Sequence, residues 1–181
     1  MQIIHRILAI LFILIGLFVT IIGMTTPAEQ GFSYTEVILS PVPVVWQVLV
    51  DPDRMPVWQT ALTKVRTKRR GPLEEGMVLQ SYARWYDPGL YHEEKIVRLT
   101  PEKNLTLMRM DSDQNSILRD FSQIYELKRL LDGTTEVTFR VFYRCPGILS
   151  RIYNRLYHQK IIENRSRENI RRLKALIERS E

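Results

Sequence analysis

The chain holds three histidines, His5, His92 and His158, and only His92 stands beside carboxylates, in His92-Glu93-Glu94. That triplet is where acid/base chemistry suggests itself. The segment around it reads as a strand, however, and neighbours on a strand point to opposite faces. His92 and Glu93 therefore do not cooperate, and an exposed imidazole is the plainer reading. The sequence has no glycine-rich phosphate loop, no nucleophile elbow and no histidine pair at metal-ligand spacing. Its single cysteine, Cys145, excludes an internal disulfide and a multi-cysteine metal site. No catalytic group, metal or cofactor is expected.

What the sequence offers instead is aromatic side chains with polar tips. In residues 117–130 one face reads Phe121, Gln123, Tyr125 and Leu127. In residues 134–144, Thr135, Val137, Phe139, Val141 and Tyr143 alternate with Glu136, Thr138 and Arg140. An inner face built this way suits a pocket that holds an apolar ligand by oriented hydrogen bonds. It suits equally a packed core whose tyrosine hydroxyls reach the rim. Segments 77–86 and 90–99 alternate poorly: Gln80, Tyr82 and Arg84 share one face, as do Glu93 and Lys95. Either choice of inner face brings in a polar or charged group, a cost that a wet cavity or a bulge would relieve. Trp58 follows a proline- and aspartate-rich turn, where it covers the core or gates a pocket mouth. Asn169 and Ser166 face a cavity from a long helix or have no role beyond that helix. The candidate ligand-binding residues are Trp58, Tyr82, Phe121, Tyr125, Phe139, Tyr143 and Asn169.

The elements that must position these residues can be read along the chain. Residues 32–39 form a strand, and Ser40-Pro41 leads into a short apolar helix over 42–50. Asp51-Pro52-Asp53 stops that helix and caps a second short turn carrying Met55, Pro56 and Trp58. Extended segments follow at 62–70, 77–86, 90–99, 104–110, 117–130 and 134–144. They are separated by hairpin punctuation such as Gly71-Pro72, Asp87-Pro88-Gly89 and Asp132-Gly133. Short successive connections predict an antiparallel meander. After Pro146-Gly147 a helical pattern runs from 148 to 179. Leu149, Ile152, Tyr153, Leu156, Ile162, Ile170, Leu173, Leu176 and Ile177 form its apolar stripe, expected to be buried against the sheet.

Three local features carry a family resemblance: the Ser40-Pro41 to Trp46 opening of the first short helix, the run Asp51-Pro52-Asp53-Arg54-Met55-Pro56-Val57-Trp58, and the ending from Asn169 to Glu178. With the element order, the chain from Phe32 to about Glu178 resembles the START-like (helix-grip, SRPBCC) superfamily, in particular its polyketide cyclase/dehydrase and lipid-transport branch. The resemblance implies an α+β helix-grip fold, with a curved antiparallel sheet of about seven strands around a long C-terminal helix. It also implies a hydrophobic ligand cavity between the two, without naming a ligand.

An apolar run precedes this domain. Residues 7–24 carry no charge, and thirteen of the eighteen are Ile, Leu, Phe or Val. As a helix they reach roughly 27 Å, close to the hydrocarbon thickness of a bilayer, and insertion is favoured by roughly 4–8 kcal/mol. The run is long for a cleaved signal, and Thr26-Pro27-Ala28 makes a poor cleavage site. The expected organisation is a transmembrane anchor over 1–25, a linker over 26–31 and a helix-grip domain over 32–181. Arg6 on one flank, with no Lys or Arg after the helix until Arg54, predicts a cytoplasmic N-terminus and an extracytoplasmic domain.

The chain has 45% hydrophobic and 25% charged residues, the balance of a globular domain. Its net charge of +6 is concentrated in residues 144–181, where ten Lys/Arg face four Glu. Nucleic acid, anionic lipid and plain solvation each suit such a helix; beside an anchor, lipid is preferred to nucleic acid, which is not expected as a partner. The expected function is a membrane-anchored domain that binds a hydrophobic molecule, lipid or isoprenoid-like. The alternatives are a cyclase, dehydratase or hydrolase acting in the same cavity, and an interaction module with a filled core.

Overall fold

The computed structural model describes residues 2–69, 71–83, 91–110 and 118–179. In chain order these form α1 (Gln2–Thr25), β1 (Glu29–Ile38), α2 (Val42–Leu49), α3 (Met55–Trp58), β2 (Leu62–Thr67), β3 (Val78–Ala83) and β4 (Tyr91–Thr100). There follow β5 (Asn104–Arg109), β6 (Arg119–Arg129), β7 (Thr135–Arg144), α4 (Ile148–Tyr153), a π turn (Asn154–His158) and α5 (Gln159–Glu178). Residues 87–89 and 111–115, read from sequence as hairpin loops, and residues 70, 84–86, 90 and 117, read as parts of strands, lie outside the described residues.

All seven strands join one antiparallel sheet in the order β1-β7-β6-β5-β4-β3-β2, so the meander curls round until its last strand meets its first. This is the helix-grip architecture. Ile38, Leu79, Ile96, Leu105, Leu107, Val137 and Val141 on the inner face pack with Val45 and Leu49 of α2 and with Ile170, Leu173 and Ile177 of α5. Polar ties fix the grip. Lys174 Nζ lies 3.0 Å from Glu36 of β1, Arg167 sits over the rings of Phe32 and Tyr34, and the Leu39 amide donates to Glu178. The Tyr34 hydroxyl first, then Lys174, hold the Glu36 carboxyl below its ordinary range against the opposing effect of burial.

Two boundaries differ from the sequence reading. Strand β1 begins at Glu29, inside the segment read as a linker, because Glu29 and Gln30 pair with Arg144 and Tyr143 of β7. The connection from α1 is consequently short. The Thr26 amide still donates to Ile22, the Ala28 carbonyl already accepts from Cys145, and the Pro27 carbonyl accepts from Gln30. The long helical stripe is also not continuous. Ile170, Leu173 and Ile177 are buried against the sheet as expected, Ile152 is buried beside Gly23 of α1 instead, and Leu149, Tyr153 and Leu156 face outward. The π turn inserts its extra residue between the two halves, and this rotates the apolar face of α4 out of phase with that of α5.

α1 is long and apolar enough to cross a membrane, with its side chains exposed along nearly its whole length. It touches the domain at its C-terminal end. Gly23 is buried there against Ile148 and Ile152 of α4, so closely that a Cβ would lie 2.3 Å from Ile148 Cγ2.

Candidate functional site

The inner faces of β3 and β4 are set by Leu79 and Ile96, both fully buried. With a side-chain period of two, that choice also turns Ser81, His92 and Glu94 inward and sends Gln80, Tyr82 and Glu93 outward. The outward group pairs on the convex face, where Glu93 meets Lys68 and Gln80, and Tyr82 meets Tyr91 and Arg66. The inward group forms a network. Ser81 Oγ donates to Glu94 Oε2 at 2.8 Å, and Gln123 Nε2 of β6 donates to Glu94 Oε1 at 2.9 Å. The Tyr125 hydroxyl donates to Gln123 Oε1 at 3.1 Å, and His92 Nε2 lies 3.6 Å from Glu94 Oε1.

Glu94 is 4% exposed, and its electrostatics follow from its neighbours. Burial is the largest single influence and pushes the carboxyl up. The hydrogen bond and charge of His92, the Ser81 hydroxyl and the charge of Arg109 together outweigh it, and the net direction is down. Glu94 is thus a buried carboxylate, held charged by its surroundings. Burial, and then the adjacent Glu94 charge, raise the Tyr125 phenol well above its ordinary range, so it stays a neutral donor.

Aromatic rings extend the network in both directions along β6. Trp58 stands edge-on to Tyr125 with ring centroids 5.9 Å apart, and Phe139 lies 4.8 Å from Tyr125 on the other side. Phe121 stacks on Tyr143 at 6.0 Å, and the Arg109 guanidinium covers the Phe121 ring at 4.7 Å. Burial raises the Tyr143 phenol; the Asn154 amide of the π turn lies close enough to oppose that rise without reaching hydrogen-bond geometry.

The polar atoms left over are informative. Trp58 Nε1, Arg109 Nε and both amide atoms of Asn154 are buried with no hydrogen-bond partner among the described residues. Buried donors without partners cost about 1–3 kcal/mol each and are rare in native interiors. Trp58 lies against Tyr125, Arg109 over Phe121 and Asn154 near Tyr143. Toward the Leu79–Ile96–Tyr125 end the inner face is fully buried, whereas His92, Arg109, Phe121 and Gln123 are only half-buried. Among the described residues, the concave face is least covered at the end of the sheet where β4 and β6 begin and β5 and β7 finish.

Of the residues singled out from sequence, the fold brings Trp58, Tyr125, Phe139 and Tyr143 into the buried core, with half-buried Phe121 packed against it. Two lie apart from it. Tyr82 is on the convex face, because Leu79 and Ser81 claim the inner positions of β3. Asn169 spends its carbonyl oxygen on the amide and hydroxyl of Thr60, which locks α5 to the segment after α3. Sequence reasoning missed Glu94, Arg109 and the inward side of His92. The signal for His92 and Glu94 was their i, i+2 spacing with Ile96. A depression at the β2–β3 connection, lined by Lys68, Glu74 and Glu75, lies away from the cluster and shares none of its aromatic lining.

A family model described as polyketide cyclase / dehydrase and lipid transport matches residues 30–178. No curated protein matches by sequence. Among solved structures, the chain is similar to the Zhui aromatase/cyclase from Streptomyces sp. R1128, with a TM-score of 0.65, 16% identity, and coverage of 83% of this chain and 94% of that one. It is similar also to Ara h 8.0201, at a TM-score of 0.60 and 15% identity, covering 82% and 97% of the two chains. Protein CV1439 from Chromobacterium violaceum gives a TM-score of 0.59 and 14% identity, with 82% and 96% covered. At these identities the likeness is one of fold.

Proposed function

The chain belongs to the polyketide cyclase / dehydrase and lipid transport family, and from that premise we propose that it is a membrane-anchored binding domain for a hydrophobic molecule carrying at least one hydrogen-bond-accepting oxygen. The observation that carries this reading is the pair of buried, unpartnered donors, Trp58 Nε1–H and Arg109 Nε–H, beside aromatic rings on the inner side of a sheet that, among the described residues, is least covered at one end. An apolar body packed against half-buried Phe121 removes its surface from water at about 25 cal/mol per Å2. An acceptor oxygen on that body satisfies donors the protein leaves unpaired, which adds orientation. A lipid or an isoprenoid-like compound has this chemistry. In this reading α1 spans the bilayer with the N-terminus in the cytoplasm, and the domain from Glu29 onward sits on the far side.

The experiment is mass spectrometry of an organic extract from the full chain purified in detergent, set beside Phe121→Arg. Phe121 is half-buried and already neighbours Arg109, so a second guanidinium there blocks the surface without filling the core. Lipids carried by α1 are common to both preparations. A stoichiometric apolar molecule present in wild type and lost in Phe121→Arg supports the binding reading; identical extracts refute it.

A second reading has one observation in its favour. The buried Glu94 carboxylate beside His92, which is 27% exposed by its side chain, is the arrangement in which a carboxylate orients an imidazole for proton transfer. The Zhui aromatase/cyclase shares the fold. If the chain dehydrates its ligand, the molecule extracted from His92→Asn is heavier than that from wild type by one water. Equal masses leave binding alone.

A further inference from the structure

The π turn exposes an apolar surface where a soluble domain would not keep one. Leu149 is 79% exposed and Leu156 and Tyr157 are each 59% exposed, with Tyr153 and Ile161 beside them. Tyr153 and Tyr157 pack ring against ring at 5.6 Å, so the patch is one contiguous surface along α4 and the π turn. Arg155, Lys160 and Arg165 are exposed around it, and the sequence has no Asp or Glu between Cys145 and Glu163.

Its place in the fold selects its partner. α4 is the element that α1 touches, through Gly23 on Ile148 and Ile152. The candidate span of α1 ends at Thr25, two residues beyond Gly23, which is roughly 3 Å along the helix axis. With α1 across a bilayer, α4 lies at the depth of the headgroups, because the contact with Gly23 allows no other height. Tyrosines and leucines facing outward there meet the lipid interface, and a flanking set of cations with no acids suits anionic headgroups.

We propose that α4 and the π turn form a second, interfacial contact with the bilayer that α1 crosses, and that this contact seats the least covered end of the domain against the membrane. The register of the sheet supports the second clause. Arg144 pairs with Glu29 on one side and with Arg119 on the other. The start of β1, reached from α1, is therefore at the same end of the sheet as Arg119, Phe121 and Arg109. That is the end at which the concave face, among the described residues, is least covered. Cargo would pass between acyl chains and the aromatic surface without crossing bulk water.

The inference rests on the anchored reading above, and its test separates the two. In a Cys145→Ser background, nitroxides are placed by Ile13→Cys in the middle of α1, by Leu156→Cys on the patch and by Leu131→Cys on the exposed β6–β7 turn. The full chain is studied in nanodiscs of phosphatidylcholine and phosphatidylserine, with collisions of oxygen and of a water-soluble nickel chelate measured at each site. The expected result is a membrane-deep signal at 13, water at 131, and at 156 an oxygen-to-nickel ratio several-fold above that at 131. A deep signal at 13 with a water-like signal at 156 overturns the interfacial contact and leaves the anchor standing. A site at 156 shielded from both reagents overturns it in favour of a protein partner. A water-like signal at 13 removes the anchor and the inference with it.

Discussion

Replacing Glu94 by glutamine keeps its volume and removes its charge, and the consequence can be worked from its contacts. The carboxylate accepts from Ser81 at 2.8 Å and from Gln123 at 2.9 Å, His92 Nε2 lies 3.6 Å from it, and the charge of Arg109 bears on it more weakly. A glutamine can turn its oxygen to Gln123 and its amide to Ser81, whose hydroxyl then accepts. Both hydrogen bonds survive in number, but each falls from the charged range of about 1.5–3 kcal/mol to the neutral range of about 0.5–1.5 kcal/mol. His92, 3.6 Å away, loses the charge that faces it, as does the more distant Arg109. The sum is about 3 kcal/mol, at the lower edge of what breaking a buried pair costs. At about 2–4 °C per kcal/mol for a domain of this size, the melting temperature at pH 7 should fall by roughly 6–12 °C. The pH dependence is a stricter check. The folded carboxyl titrates below its unfolded value, so its stabilisation is full above the ordinary carboxylate range and is lost as pH falls through the depressed value. The gap between wild type and Glu94→Gln should narrow on acidification. Circular dichroism melts of the full chain in one detergent, repeated across pH, measure both. A melting temperature within about 1 °C of wild type at pH 7, or a gap that widens toward acid, would refute the buried-carboxylate account.

Three further perturbations isolate single features. Trp58→Phe removes the indole donor and keeps an aromatic ring, so retention of the bound molecule should weaken about 3–10-fold in a competition assay while the fold persists; undiminished retention would mean the donor recognises nothing. Asp120 opens β6 at φ 53° beside a register shift, a conformation glycine takes without cost. Asp120→Val should cost roughly 1–3 kcal/mol and Asp120→Gly almost nothing, since the exposed pair with Arg144 contributes little; equal melting temperatures for the two would contradict this. Gly23→Leu forces a side chain into Ile148 and should cost roughly 1–3 kcal/mol in the same melts. Gly16→Leu, at a glycine with nothing within 4 Å, serves as the neutral comparison.

The element order and the inner face of β6 and β7 were legible because alternation there is clean: Phe121 to Leu127 and Thr135 to Tyr143 each place apolar and aromatic residues at every second position. β3 and β4 resisted because both of their faces carry polar residues. The deciding residues, Leu79 and Ile96, are buried by partners on other strands, and local pattern does not contain those partners. The comparison of His92 with its neighbour Glu93 is silent about Glu94, one residue further on, where same-face geometry begins. Nothing in the residues of the π turn marks an inserted residue. The stripe from Leu149 to Leu156 therefore reads as core in sequence and becomes surface in the fold. Arg109 escaped for a different reason: its importance lies in an unpaired atom, which only three-dimensional packing can reveal.

Pro27 is the whole of the free connection between α1 and the sheet. Helix bonding still holds Thr26, the β7 ladder already holds Ala28, and the proline ring fixes its own φ. If α1 is embedded, the domain has no tether to swing on and turns only when the helix turns. Ligand capture then becomes a search in two dimensions, governed by lateral diffusion and by the mole fraction of cargo in the leaflet rather than by its solubility. Handover would likewise need an acceptor brought to the membrane surface, since a port fixed in one orientation cannot carry its load away.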